Sequence, residues 1–323
     1  MSLTISEIKA ARDLIAPYIV HTPLLRMKNL DPYLGCEVYV KAECMQTTGA
    51  FKLRGAMNRI LSLSEKELQR GIVAASSGNH GKAVTYACKM LGVRATIVLP
   101  DTVAKIKEDA IRKWGAEIVK CDVSERFEVA DRLCRERNST LVPPFNDEAI
   151  MAGQGTAGLE IMEQCPELNK VIVPTSGGGL IGGLSVAIKS VSPGTAVFGA
   201  EPAALPRYSA SLRAGKPVLV EKRRTVADAL VTQIPGTVCF PYVAQYTDGF
   251  ADVDEAYILR GMKLLLMEGK LLCEPSSATC IGAVLQGLIP VKQTDKVCFF
   301  VSGGSVSLEQ LHQLDSIEIG HLD

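Results

Sequence analysis

The stretch Val173-Pro174-Thr175-Ser176-Gly177-Gly178-Gly179-Leu180-Ile181-Gly182-Gly183 decides the fold. It follows Lys170-Val171-Ile172, and the apolar spacing after it continues to Val191. A strand thus delivers three successive glycines to the start of a helix. Without Cβ atoms, the backbone there can turn tightly and present several N–H groups to one anion. A phosphate group fits such a loop, held by amides and the helix dipole rather than by a lysine. No Gly-Lys-Ser/Thr follows, so the segment is not a P-loop. Nor does an acidic residue stand about 20 positions on, as a dinucleotide fingerprint would require; that region reads Val191-Ser192-Pro193-Gly194. A glycine turn serving only close packing is the alternative reading.

Outward from this loop, short apolar runs recur with helical segments between them. Val38-Tyr39-Val40 precedes the amphipathic stretch 55–63, Gly71-Ile72-Val73-Ala74-Ala75 precedes 81–91, and 94–100 precedes 105–114. The runs 116–120 and 170–174 are followed by helical spacing over 124–137 and 180–191, and 196–200 and 296–301 read as further strands. Continuous β-branched runs alternating with helices imply parallel sheets flanked by helices on both faces, so the fold class is α/β. The segments 192–195 and 202–250 are the least regular, rich in Pro and Gly. The 323 residues exceed one compact core, and no linker divides them, so two interwoven lobes are expected.

Composition narrows the function. Lys plus Arg equals Asp plus Glu at 35 each, which gives no reason to expect nucleic acid or an anionic membrane surface as partner. No apolar run approaches the roughly 20 residues that span a bilayer, and the N-terminus reads as a helix start capped by Thr4 or Ser6, not a signal peptide. The ten cysteines are scattered singly, as expected of small buried hydrophobes in a reduced, cytoplasmic compartment. Four histidines (His21, His80, His312, His321) include no pair at ligand spacing, which disfavours zinc.

Two more loops join a strand end to a helix start, where ligands bind in parallel α/β sheets. Ser76-Ser77-Gly78-Asn79-His80-Gly81 offers hydroxyls, an amide and backbone N–H groups suited to a carboxylate. It reads equally well as a helix capped by Ser77 or Asn79, and His80 reads more readily as a structural histidine than as a base. In Thr47-Thr48-Gly49-Ala50-Phe51-Lys52-Leu53-Arg54-Gly55-Ala56, a lysine sits between Phe51 and Leu53. Desolvation there would lower its pKa and make it a nucleophile, but by itself the segment reads first as a snorkelling surface lysine.

Taken in order along the chain, these segments resemble the fold type II (β-family) pyridoxal-phosphate enzymes, which are tryptophan synthase β-like in architecture. They are most similar to the serine/threonine dehydratase and serine racemase branch. The resemblance runs from His21-Thr22-Pro23-Leu24 through the Lys52 and Ser76 loops, Pro143-Pro144-Phe145-Asn146 and Ala152-Gly153-Gln154-Gly155-Thr156. It continues through the glycine loop, Glu274-Pro275-Ser276-Ser277-Ala278 and Ser302-Gly303-Gly304-Ser305. It implies pyridoxal 5'-phosphate as cofactor, held as a Schiff base by Lys52. Ser176, Gly177, Gly178, Gly179 and Leu180 would cup the phosphate, with Phe51 near the ring, Asn79 on the phenolate oxygen and Ser302 at the pyridine nitrogen. Ser76, Ser77, Gly78, Asn79 and His80 would receive the carboxylate of a small amino-acid substrate. It also implies a large cofactor domain (1–45 plus 146–323), a small mobile domain (46–145), and a homodimer or larger assembly.

A hydroxyl rather than a carboxylate at the pyridine nitrogen gives a weaker electron sink, which favours rapid loss of a β-leaving group. The expected activity is therefore a serine/threonine-type ammonia-lyase. Serine racemase and threo-3-hydroxyaspartate dehydratase are the alternatives. Ser77 stands where many dehydratases of this branch place alanine, and it would serve the second proton face of a racemase opposite Lys52. Relatives that bind a cation place it beside the Glu of Glu201-Pro202, but their later acidic ligand is replaced here by Arg207. An arginine there would neutralise Glu201 and repel a divalent ion, so no metal is expected. Asp228-Ala229 stands in place of the usual Asp-Gly.

Overall fold

The computed structural model of the chain describes residues 2–320. Among the described residues ten strands form two sheets: β1 (Leu24–Arg26), β2 (Glu37–Ala42), β3 (Ile72–Ala75), β4 (Ala95–Pro100), β5 (Glu117–Cys121), β6 (Thr140–Leu141), β7 (Lys170–Pro174), β8 (Ala196–Pro202), β9 (Gly249–Val253) and β10 (Lys296–Val301). The larger sheet runs β1-β2-β10-β7-β8-β9, and the smaller runs β5-β4-β3-β6. All pairings are parallel except that of edge strand β1 with β2. All four strands of the smaller sheet lie within 72–141.

The expected α/β architecture is present, and burial explains it. Phe299 and Phe300 are neighbours on β10, so they point to opposite faces of the larger sheet, and both are fully buried. They belong to different apolar clusters, one on each side of the sheet. Only a sheet covered on both faces makes that possible. All six residues of β4 are likewise buried.

The runs read as strands are strands, each within about a residue or two of the expected bounds. Among the elements missed were the short β1 and β6, β9 inside the Pro/Gly-rich region, the long helices Glu148–Gln164, Glu255–Met267 and Pro275–Leu285, and shorter ones such as Arg207–Ala214 and Phe240–Tyr246. The helix Glu148–Gln164 lacks a polar face, since all residues from Ile150 to Met162 are buried. A helix buried all round, its few polar side chains included, gives no amphipathic signal. At the N-terminus, Thr4 caps Ile5–Ile15 in a capping box with Glu7.

The parallel arrangement places the decisive loops together. Ser76 follows the carboxyl end of β3, Ser176 that of β7 and Ser302 that of β10. The helix Lys52–Leu61 lies between the two bodies. Leu53, Met57 and Ile60 pack into the smaller sheet's core. Arg54 turns the other way into a buried ion cluster, 2.8 Å from Glu43 after β2 and 2.6 Å from Glu160 on Glu148–Gln164. Lys41 of β2 completes it, 2.6 Å from Glu160. No helix among the described residues is long and apolar enough to cross a membrane.

Candidate active site

Three helices begin at the cleft between the sheets with no side chain capping them: Lys52–Leu61, Asn79–Met90 and Gly179–Val191. The first N–H groups of a helix have no intrahelical acceptor, so each start offers donors to a ligand. Four other helices are capped by a side chain, Thr4, Ser64, Asp147 and Ser307 each accepting a backbone N–H. What sets the three starts apart is that they lie where the glycine-rich and serine-rich loops follow strand ends.

Lys52 opens the first of these helices. Its Nζ donates to the Pro144 carbonyl at 2.7 Å and lies 5.1 Å from the Phe51 ring centroid. Burial pushes the amine down to about 8, opposed by the electrostatic influence of Cys239 and Glu274. The side chain is half-buried, with its amine turned onto a main-chain carbonyl. Phe145, next to Pro144, lies against the glycine loop, where a Cβ on Gly177 would come within 2.4 Å of the Phe145 ring. One short segment therefore joins the amine to the loop.

In that loop Gly178 adopts φ +101°, and a Cβ there would fall 1.8 Å from the Tyr208 hydroxyl, so both backbone and space demand glycine. Gly179 and Leu180 begin the helix with free N–H groups. The Ser176 hydroxyl pairs with Thr232 at 2.7 Å, and the Gly177 carbonyl accepts from Tyr208 Oη at 3.1 Å and from the Gly236 amide at 2.9 Å. A rigid ring of backbone donors at a helix start suits a phosphate monoester.

Asn79 donates from Nδ2 to both carboxylate oxygens of Glu274 at 3.0 Å, and its Oδ1 accepts from Ser305 at 2.6 Å. Burial raises Glu274 to about 7, against the Asn79 hydrogen bond that lowers it. The Ser76 hydroxyl accepts from the Gly78 amide at 3.3 Å. Ser77 has no hydrogen-bond partner among the described residues and is half-buried. The His80 ring is buried with Nε2 2.9 Å from the Val142 carbonyl, and burial, with the Lys52 charge, pushes it down to about 3. The His80 ring is thus held neutral on the Val142 carbonyl.

Ser302 is buried with its hydroxyl 2.9 Å from Ser277, and its carbonyl accepts from the Phe51 amide at 3.0 Å. This strap ties the end of β10 to the residue preceding Lys52. Farther out, Arg207 lies 3.7 Å from Glu201, and the Ala229 amide donates to Ser276 at 3.0 Å. Burial raises Glu201 to about 7, partly offset by Arg207. Sequence reading gave no role to Glu274, Ser277, Ser305, Thr232, Tyr208 or Cys239. Glu274 alone left a signal, as the acid before a proline that opens a helix.

The pattern of the pyridoxal-phosphate dependent enzyme family matches residues 15–303. The chain belongs to that family. The enzyme is 39% identical over 314 residues to an L-threonine ammonia-lyase of Thermotoga maritima, covering 97% of this chain and 78% of that one. It is 38% identical over 321 residues to the serine racemase of Dictyostelium discoideum, covering 97% and 98%. The crystal structure of a Dictyostelium discoideum serine racemase superposes with a TM-score of 0.88 at 38% identity, over 95% of the enzyme and 100% of that chain. A third relative, the L-threo-3-hydroxyaspartate ammonia-lyase of Saccharomyces cerevisiae, is 34% identical over 318 residues, covering 97% and 96%.

Proposed function

We propose that the enzyme is an ammonia-lyase that converts a β-hydroxy amino acid of the serine/threonine type into a 2-oxo acid and ammonia. One observation carries the reading. The Lys52 amine is desolvated and held on the Pro144 carbonyl, and the adjoining Phe145 ring packs against an uncapped glycine cup. The residues fit pyridoxal phosphate: Lys52 would hold it covalently, Ser176 to Leu180 would take its phosphate, Asn79 its phenolate oxygen and Ser302 its pyridine nitrogen, with Phe51 beside the ring. When bound, the cofactor supplies the electron sink that makes the substrate Cα–H acidic.

The chain's own groups do the rest. The helix start at Asn79, with Ser76, Ser77 and Gly78, binds the substrate carboxylate and so orients Cα toward Lys52. The freed Lys52 amine, lowered toward neutrality, accepts the Cα proton. Ser302 would offer the pyridine nitrogen a hydroxyl rather than a carboxylate, a setting that would favour departure of the β-hydroxyl as water. The described 46–145 portion is proposed to move against the remainder and close the cleft. A homodimer and a cytoplasmic setting are proposed with it, the latter supported by ten free cysteines.

Racemisation of serine is the second reading, and Ser77 favours it, being an unpaired hydroxyl on the carboxylate loop. Threo-3-hydroxyaspartate is a further candidate substrate, prompted by the yeast relative. The test uses purified enzyme with L-serine, D-serine, L-threonine and threo-3-hydroxyaspartate, scoring 2-oxo acid and enantiomer separately. Oxo acid should form from at least one substrate, and Lys52→Ala should abolish both turnover and the visible band of the bound cofactor. A wild-type enzyme that binds the cofactor and yields only enantiomer would replace the lyase reading with the racemase.

A further inference from the structure

Arg207 is fully buried, yet no carboxylate forms a close, forked pair with it. Its donors go instead to three main-chain carbonyls from three segments. Nε donates to Leu205 at 3.1 Å, Nη1 to Thr175 at 3.4 Å and Nη2 to Leu230 at 2.9 Å. Thr175 immediately precedes Ser176 of the glycine cup. Leu230 lies two residues before Thr232, whose hydroxyl holds Ser176. The neighbouring Tyr208 donates its hydroxyl to the Gly177 carbonyl, while its own amide is fixed on Glu201 at 2.9 Å and 3.1 Å. Arg207 and Tyr208 therefore grip the cup loop at successive points from behind.

From these contacts we infer that Arg207 is a positioning residue for the cup: its guanidinium fixes the backbone around Thr175 and Leu230 so that the Ser176–Leu180 amides hold a phosphate monoester. The inference rests on the assignment of that loop as the phosphate cup. An arginine suits the task because its planar fork presents donors in several directions at once, which a lysine ammonium on one flexible stem does not match. The ties to the loop are directional hydrogen bonds to main-chain carbonyls, so the contribution is geometric rather than long-range attraction. An anion site works when its donors are already aimed before the ligand arrives. Loss of the guanidinium would leave the buried Thr175 and Leu230 carbonyls short of a partner, while Leu205 keeps the amide of residue 207, and would free the loop to shift.

The test compares pyridoxal 5'-phosphate with pyridoxal, which lacks the phosphate, as ligands of the cofactor-free protein, following the visible band. Arg207→Met should weaken pyridoxal 5'-phosphate binding by roughly ten- to a hundredfold, the scale on which partners behind a bound ion act, while pyridoxal binding stays unchanged. Arg207→Lys should show a smaller loss of the same kind. The double variant Glu201→Gln with Arg207→Met removes both charges and should resemble Arg207→Met, because the ties are still missing. If Arg207→Met does not fold, the other two variants carry the comparison. An unchanged preference for the phosphate in the variants that fold would overturn the inference, as would equal losses for both ligands. A wild-type protein that shows no preference would instead remove the cup assignment itself.

Discussion

The Lys52 amine should titrate near pH 8 in the cofactor-free protein, and pH is the perturbation that shows it. Burial lowers it from the ordinary 10.5 to about 8. At pH 7.4 a group of that pKa is neutral in roughly one molecule in five, against about one in a thousand for an exposed lysine. Only the neutral amine attacks a carbonyl, so Lys52 should react with an aldehyde a few hundredfold faster at that pH, on the order of the ratio of those fractions. The assay is the initial rate of imine formation with pyridoxal, with Lys52→Ala protein as the blank. The rate should rise with pH, reach half its plateau near 8 and level off above about 9. Glu274→Gln provides a second arm: it removes a negative charge that holds the amine up, so the midpoint should move lower. A rate that climbs tenfold per pH unit up to 10 would show an ordinary solvated lysine and refute the reasoning.

The same burial has a cost in stability. Unfolded protein binds a proton on Lys52 up to about 10.5 and folded protein only to about 8, so wild-type stability should rise across that window. Lys52→Met should accordingly stabilise the cofactor-free protein at pH 7 by about 1–3 kcal/mol, and the gap should narrow toward pH 10 in denaturant titrations. Ser77→Ala should remove racemisation while leaving elimination; equal loss of both would count against its place on the second proton face. His80, neutral down to about 3, should add no limb to the rate profile between pH 6 and 9, so His80→Gln should keep its shape. Because folded His80 resists protonation, its stabilising effect should be lost as pH falls from 6.5 toward 3, and His80→Gln should blunt that acid sensitivity in thermal melts. Activity should be indifferent to magnesium and to chelators, since the Arg207 guanidinium sits 3.7 Å from Glu201; clear activation by magnesium would contradict this.

The strands were legible because parallel sheets bury both faces and need unbroken apolar runs, as β4 and β10 show. The glycine cup was legible because Gly178 must adopt a left-handed conformation under Tyr208. Lys52 was not, taken alone. Its flanking Phe51 and Leu53 are compatible with surface or interior, and the carbonyl that takes its amine belongs to Pro144, 92 positions along the chain. The partners behind the site were illegible for the same reason. Glu274 reaches Asn79 across 195 positions, and Arg207 reaches Thr175 across 32. For His80 the sequence favours a structural ring without naming its partner, which is the Val142 carbonyl 62 residues away.

Buried charge is concentrated behind the three loops at the cleft. Lys41, Glu43, Arg54 and Glu160 back the Lys52 helix, Glu274 backs Asn79, and Glu201 with Arg207 backs the glycine cup. Net stability does not account for this placement. Desolvating two charges costs about as much as their attraction returns, and well-packed apolar residues often do as well. Apolar contacts supply most of the driving force for folding, but they are non-directional. A guanidinium fork or a carboxylate bound to two donors fixes orientation as well as distance, because hydrogen bonds weaken steeply when misaligned. Chemistry at one Cα–H bond needs that directional control, since sub-ångström displacement of a reacting group is costly. The Arg54 cluster illustrates the division of labour. Leu53, Met57 and Ile60 give the Lys52 helix its affinity for the smaller sheet, while Arg54, gripping Glu43 and Glu160 from the opposite face, sets the rotation at which Lys52 meets the Pro144 carbonyl.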